Sequence, residues 1–198
     1  MSTVTSAKNI IHSSHETPLC FCCKGRVIRA VNSETGEIAC TYPSAAVSVS
    51  ILTMNPDLDV MVSCDDNGVI MARATKTSNR FWSKAMKAQV VSLEATDFLL
   101  FALLSNGRLE CCWLTDGSPL WSRAVSKARS NNMILVETLL ITTSTIGQIS
   151  ASSMLDGSSQ WDIAPASPST KDCINCLNDN DDGLVAFGTR GGKVIVRR

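Results

Sequence analysis

The sequence predicts an all-β protein, a small β-propeller of about five four-stranded blades, and three observations predict it. A glycine-led phrase recurs along the 198 residues, at Gly25, Gly68, Gly107, Gly147 and Gly192, with intervals of 43, 39, 40 and 45. That period is the one expected of four-stranded blades. In the three best copies a tryptophan stands fourteen residues after the glycine: Gly68 to Trp82, Gly107 to Trp121 and Gly147 to Trp161. Between these markers lie short apolar runs separated by tight-turn dipeptides, the pattern of strands rather than helices.

The elements follow in order within one period. Residues 97 to 103 (Asp-Phe-Leu-Leu-Phe-Ala-Leu) are apolar and too short for a helix, and Asn106-Gly107 follows them. Asn-Gly suits a two-residue hairpin turn, because both positions tolerate the positive φ that such a turn needs. Asn67-Gly68 does the same after Leu58 to Cys64, and Gly191-Gly192 does so in the last period. A strand follows each glycine, then a second turn at Asp116-Gly117 or Asp156-Gly157, then an outer strand that carries the tryptophan. One more apolar strand precedes these hairpins, as in Gln89 to Leu93, Asn132 to Glu137 or Asp172 to Leu177, making four per period. The first copy, Gly25-Arg-Val-Ile-Arg-Ala through Thr35-Gly36, ends in Cys40 where a tryptophan is expected. The interface there should therefore be less well filled.

Such a sheet is apolar on both faces and needs neighbours stacked against it. With residues 1–7 as a flexible N-terminus, residues 8–198 are expected to form a single propeller domain. The last period offers strands over 171 to 177, 183 to 189 and 192 to 197, but no outer strand, and an uncovered edge invites aggregation. Residues 7 to 13 (Ala-Lys-Asn-Ile-Ile-His-Ser) suit two places. As the missing outer strand they would close the ring; as the innermost strand of the first blade they would leave an open arc.

A glycine, an alternating apolar strand, an Asp-Gly or Thr-Gly turn and a tryptophan together resemble the repeat of quinoprotein alcohol-dehydrogenase-like (PQQ-like) propellers, and more distantly that of WD-repeat propellers. The resemblance covers residues 8 to 198. It implies that Trp82, Trp121 and Trp161 dock one blade onto the next. It does not imply the quinone chemistry, because the catalytic relatives carry more blades and dedicated calcium and quinone ligands, and no such set is present here.

Composition narrows the classes of function. Apolar residues make up 44% of the chain, enough for a core. No stretch is long and uncharged enough to span a membrane, and Met1 to Lys8 lack the features of a secretory signal. A cytoplasmic location with nine reduced cysteines is the expectation, since an odd number does not suit a disulfide framework. With 18 basic and 18 acidic side chains and no basic stripe, nucleic acid is not expected as a partner. Arg190, Lys193, Arg197 and Arg198 gather near the end of the chain, where they suit protection of an edge strand better than a phosphate site.

His12, His15, Cys20, Cys22, Cys23, Cys173 and Cys176 are the candidate metal ligands, since reduced thiols and imidazoles suit zinc. Their spacing is not that of a zinc finger, and a step of three places the two cysteines of Cys173-Ile-Asn-Cys176 on opposite faces of a strand. Buried core cysteine is the expected role, and no resident metal or cofactor is assigned. Asn178-Asp-Asn-Asp-Asp182-Gly183 resembles a calcium loop but has Thr189 where the glutamate should stand, which makes it a polar hairpin turn. No catalytic constellation emerges. The expected function is a non-catalytic scaffold that binds protein through the connections 42 to 46, 75 to 80, 125 to 131 and 163 to 171, as a possible oligomer or part of a larger complex. The alternatives are a regulatory or substrate-recruiting propeller domain of an adenylate-forming or other enzyme, and an open arc completed by a partner chain.

Overall fold

A computed structural model describes residues 10–12, 19–43, 48–55, 59–164, 173–179 and 184–197. They form nineteen strands in five antiparallel sheets, and the fold is a five-bladed β-propeller. The first four sheets have four strands each: β1 (Ile10–His12) to β4 (Ile38–Pro43), β5 (Val49–Asn55) to β8 (Arg80–Ala85), β9 (Val90–Ala95) to β12 (Pro119–Ala124), and β13 (Ser130–Val136) to β16 (Ser159–Ile163). The fifth has three, β17 (Ile174–Asp179), β18 (Val185–Thr189) and β19 (Val194–Arg197). Strand β1 pairs with β2 (Leu19–Lys24), setting Ile10 opposite Cys22 and His12 opposite Cys20. Of the two places open to the N-terminal segment, it takes the innermost strand of the first blade and does not complete the fifth.

The chain divides into two compact units. Unit one comprises residues 1–87 with 95–99 and 114–117; unit two comprises 88–94, 100–113 and 118–198. In unit one, Phe21, Cys23, Ile28, Ala30 and Tyr42 of the first sheet pack with Val49, Leu52 and Met61 of the second. In unit two, Ile141, Ile149 and Ala151 of the fourth sheet pack with Ile174, Val185 and Phe187 of the fifth, with Trp161 and Ile195 alongside. Both clusters arise because alternate residues of each strand face opposite ways, so a blade has an apolar set for each neighbour.

The marker glycines turn the chain differently from the Asn-Gly expectation. Gly68 N–H donates to Asp65 O, Gly107 to Leu104, Gly147 to Ser144 and Gly192 to Thr189, each at 2.9–3.1 Å. Among the described residues only the glycine of each Asn-Gly pair has positive φ, as at Gly68 (76°) and Gly107 (81°). These are three-residue loops, a turn closed by one left-handed residue, and they supersede the two-residue turn. Gly107 is also needed for space, since a Cβ there would lie 2.1 Å from Ser126 O. The hairpin between the third and outer strands of each of the first four blades has a longer loop. Its first residue donates to the carbonyl five places on: Asn32 to Glu37, Ala74 to Asn79, Trp113 to Ser118 and Ser153 to Ser158. Every outer strand is bulged at the same place, just past the pairs Ala30–Cys40, Ala72–Trp82, Cys111–Trp121 and Ala151–Trp161. A bulge re-aims side chains locally, which is how the large residue of each pair leaves its own sheet.

Candidate functional site

Trp82 donates its indole Nε1–H to Leu114 O at 2.8 Å, and a Cβ added to Gly117 would lie 2.8 Å from Trp82 Cε3. The ring lies on a bare glycine. Leu114 is held there by its own N–H, which donates to Phe98 O at 2.8 Å and leaves its carbonyl to the indole. Trp121 repeats the contact in unit two, where a Cβ at Gly157 would lie 2.7 Å from Trp121 Cζ3. Its Nε1, however, is buried with no partner. Phe101 supports that ring at a centroid distance of 6.0 Å. Trp161, one repeat on, joins the apolar cluster between the fourth and fifth sheets.

The first sheet has no tryptophan, and its interface is nonetheless filled. Tyr42, two residues beyond Cys40 on the same strand, is buried and tilted against Phe21 at a centroid distance of 6.2 Å. Its hydroxyl donates to Thr75 O at 2.5 Å. Thr75 holds the place in the second blade that Leu114 holds in the third, and its N–H is anchored on Asp59 O. Desolvation raises the Tyr42 pKa above the ordinary phenol range, so the hydroxyl stays a donor. The sequence expectation of a poorly filled first interface is therefore corrected: Tyr42 does the work of the indole from a position two residues along, which keeps it on the same face of the strand. The signal was present in the aromatic side chain of Tyr42, outside the expected column.

The candidate metal ligands divide between the units. On β2, Cys23 is buried in the core with Phe21, while Cys20 and Cys22 are half-buried on the other face. His12 lies on β1, opposite Cys20; His15 lies outside the described residues. In unit two, Cys173 precedes β17 and accepts a hydrogen bond from Asn131 Nδ2 at 3.5 Å, and Cys176 is exposed beyond the bulge that separates it from Ile174. None of the nine cysteines is in a disulfide. Among the described residues no three His, Cys, Asp or Glu side chains group as a metal site. Burial pushes the Cys64 and Cys111 thiols up to about 12, which suits packing better than nucleophilic chemistry.

Two polar features went unnoticed in the sequence. Glu94, on the innermost strand of the third sheet, is raised to about 7, by burial first and the Asp179 charge second. It has no motif, since its shift comes from burial and from a charge far along the chain. A cavity of about 200 Å³ in unit two is lined by Arg123, Ser150, Ser152, Gly157, Ser159 and Asp162. Among the connections expected to bind partners, 75 to 80 and 125 to 131 are described, whereas 44–46 and 165–171 lie outside the described residues, as does the 180–183 part of the acidic turn. Large apolar side chains stand exposed on or beside turns, Leu155 at 76%, Phe98 at 65% and Phe81 at 53%. No described helix is long and apolar enough to cross a membrane.

No protein-family model matches the chain, and no curated protein matches it. Solved structures do. The computationally designed Ika8 protein aligns with a TM-score of 0.77 at 15% identity, covering 94% of this chain and 57% of that one. The computationally designed Ika4 protein aligns at 0.67 with 16% identity, covering 76% of this chain and 90% of that one. The chain thus spans little more than half the length of the Ika8 protein. At such identities the likeness is one of fold.

Proposed function

We propose that this chain is a non-catalytic scaffold of the PQQ-like propeller kind that binds a protein partner through its turns. The observation that carries the reading is the exposure of Leu155 and Phe98, two large apolar side chains placed on tight turns rather than in a core. Isolated exposed apolars are ordinary, but bulky ones on rigid turns are the type of residue that anchors interfaces. Polar residues of other turns are spent locally: Asn32 Oδ1 accepts from Glu34 and Thr35 N–H, and Asp65 Oδ1 from Asn67 and Val69 N–H. Such groups hold backbone and leave little for acid–base work.

Affinity capture with the wild-type chain, set beside Phe98→Glu and Leu155→Glu chains, tests it. A stoichiometric protein partner lost from either variant, with thermal melts unchanged, supports the reading. A partner retained equally by both, or no stoichiometric partner, overturns it.

A further inference from the structure

The fourth sheet carries two small hydroxyl side chains where the repeat elsewhere places larger ones. Three and five residues after the marker glycine stand Met71 and Arg73 in the second sheet, Glu110 and Cys112 in the third, and Ser150 and Ser152 in the fourth. The smaller pair leaves room for the cavity of about 200 Å³ that Arg123, Ser150, Ser152, Gly157, Ser159 and Asp162 line, all of them residues of unit two. Register explains the shared lining. Ser150 is paired with Asp162 and Ser152 with Ser159, and residues directly opposite one another on neighbouring strands share a face.

The polar groups around this space are held in place but not used up. Ser150 is fixed, donating to Val125 O and accepting from Gln148 Nε2, each at 3.3 Å. Ser152 is 2% exposed, and its hydroxyl has no hydrogen-bond partner among the described residues. A buried hydroxyl in that condition is costly unless something else meets it. Arg123 is braced by its stem, since a Cβ at Gly157 would lie 2.7 Å from Arg123 Cγ. Its fork donates to Ser122 O at 3.5 Å and keeps its other N–H groups. Asp162 Oδ2 accepts from Ser159 Oγ at 3.1 Å. Arg123 and Asp162 line one space, yet among the described residues no ion pair joins them.

We propose that this cavity between the third and fourth sheets binds one sugar ring or a cyclic polyol of that size, with Arg123, Ser152 and Asp162 as the recognising groups. Charge selects the class. An anion would meet the Asp162 carboxylate and a cation the Arg123 guanidinium, whereas a neutral ligand rich in hydroxyls suits both. Each of its hydroxyls can donate to the carboxylate, accept from the guanidinium, or do either with Ser152. Volume selects the size: about 200 Å³ corresponds to the liquid share of about seven waters, enough for a single ring and not for a chain of them. The site takes no part in the protein binding proposed through Leu155 and Phe98, so either reading can fail alone.

The test titrates the full 198-residue chain with D-glucose, D-galactose, D-mannose and myo-inositol, and with inorganic phosphate and glycine as charged counterparts, by calorimetry and ligand-observed NMR. At least one polyol should saturate with a Kd of about 1 mM or tighter, the level that about a dozen non-hydrogen atoms reach at ordinary efficiency. Arg123→Met and Asp162→Ala should each weaken it at least about fivefold. Both positions are exposed, so the fold should survive, and a thermal melt of each variant verifies it. Ser152→Ala should also weaken binding while the free chain melts no lower than wild type, because the lost hydroxyl had no partner. The methyl glycoside or methyl ether of the polyol that binds separates two sources of the same chemistry. Equal affinity fits the terminal residue of a glycan and a tenfold loss fits a free polyol; either supports the site. No polyol saturating up to about 20 mM, or affinity unchanged in all three variants, overturns it. Phosphate or glycine binding more tightly than every polyol overturns the ligand class.

Discussion

Tyr42 donates its hydroxyl to the carbonyl of Thr75, the same carbonyl position that Trp82 uses at Leu114 in the following blade. Two different side chains from different columns of the repeat thus satisfy one recurring acceptor, because that acceptor is fixed by backbone. Tyr42→Phe keeps the ring against Phe21 and removes only the donor. The expected loss is about 1–2 kcal/mol, since a buried carbonyl is left without its partner. The urea midpoint should fall at constant m-value; an unchanged midpoint would mean that Thr75 O is satisfied in another way.

Trp82 and Trp121 form a matched pair that differs in one bond. The first donates to Leu114 O and the second has a buried, unpartnered Nε1. Phenylalanine keeps much of the ring contact on Gly117 and Gly157 but has no N–H to satisfy. Trp82→Phe should cost about 1 kcal/mol more than Trp121→Phe, because only the first leaves an orphaned acceptor and the second removes an unsatisfied donor. Equal costs in denaturant titrations would show that ring volume alone sets the energy.

Gly117 is held at φ +73° beneath an indole, whereas Ser78 occupies the equivalent loop position of the second blade at φ +62°. The substitution pattern is reciprocal: the blade before Ser78 offers Cys40 and Tyr42, and no indole needs a bare glycine there. Gly117→Ala should destabilise by about 2–4 kcal/mol, through left-handed strain and overlap with Trp82. Ser78→Gly should stabilise by about 0.5–1 kcal/mol, because the strain is relieved and no packing is lost. Opposite signs in thermal or urea unfolding confirm the pair; a Gly117→Ala chain as stable as wild type refutes the close approach.

The blade count and the strand order were legible because they rest on local signals, the marker glycines and the short apolar runs. Three things were not. The loop type at Asn67-Gly68 and Asn106-Gly107 depended on whether Asn also turns left-handed, which the dipeptide alone leaves open. Tyr42 escaped notice because its role depends on a carbonyl 33 residues away. Placing the 7 to 13 segment required pairing information, since Ile10 and Ile11 suit either edge equally by composition.

Alkylation should rank the cysteines by burial. Cys64 and Cys111 are buried and their thiols are pushed up to about 12, so almost no thiolate exists at neutral pH. The thiolate is the nucleophile, and Cys176 is exposed. Iodoacetamide at pH 7.5 should label Cys176 early and leave Cys64 and Cys111 unmodified until denaturant is added, as read by peptide mass mapping. Early labelling of Cys64 in the native protein would show that the second blade opens far more readily than its packing allows.

Glu94 gives the fold a pH dependence whose sign is set by desolvation. Its folded pKa of about 7 lies above the ordinary value of 4.5, so between those two pH values the native state binds more protons than the unfolded chain. Stability therefore falls as pH rises from about 4.5 through about 7 and then levels off, a contribution of about 2–3 kcal/mol across the window. Asp179 works in the same direction, since its negative charge disfavours ionised Glu94. Glu94→Gln removes the titration while keeping the side-chain length. The variant should be more stable than wild type at pH 8, similar at pH 5, and flatter between them in urea unfolding. A wild-type slope that survives the substitution would place the titrating group elsewhere.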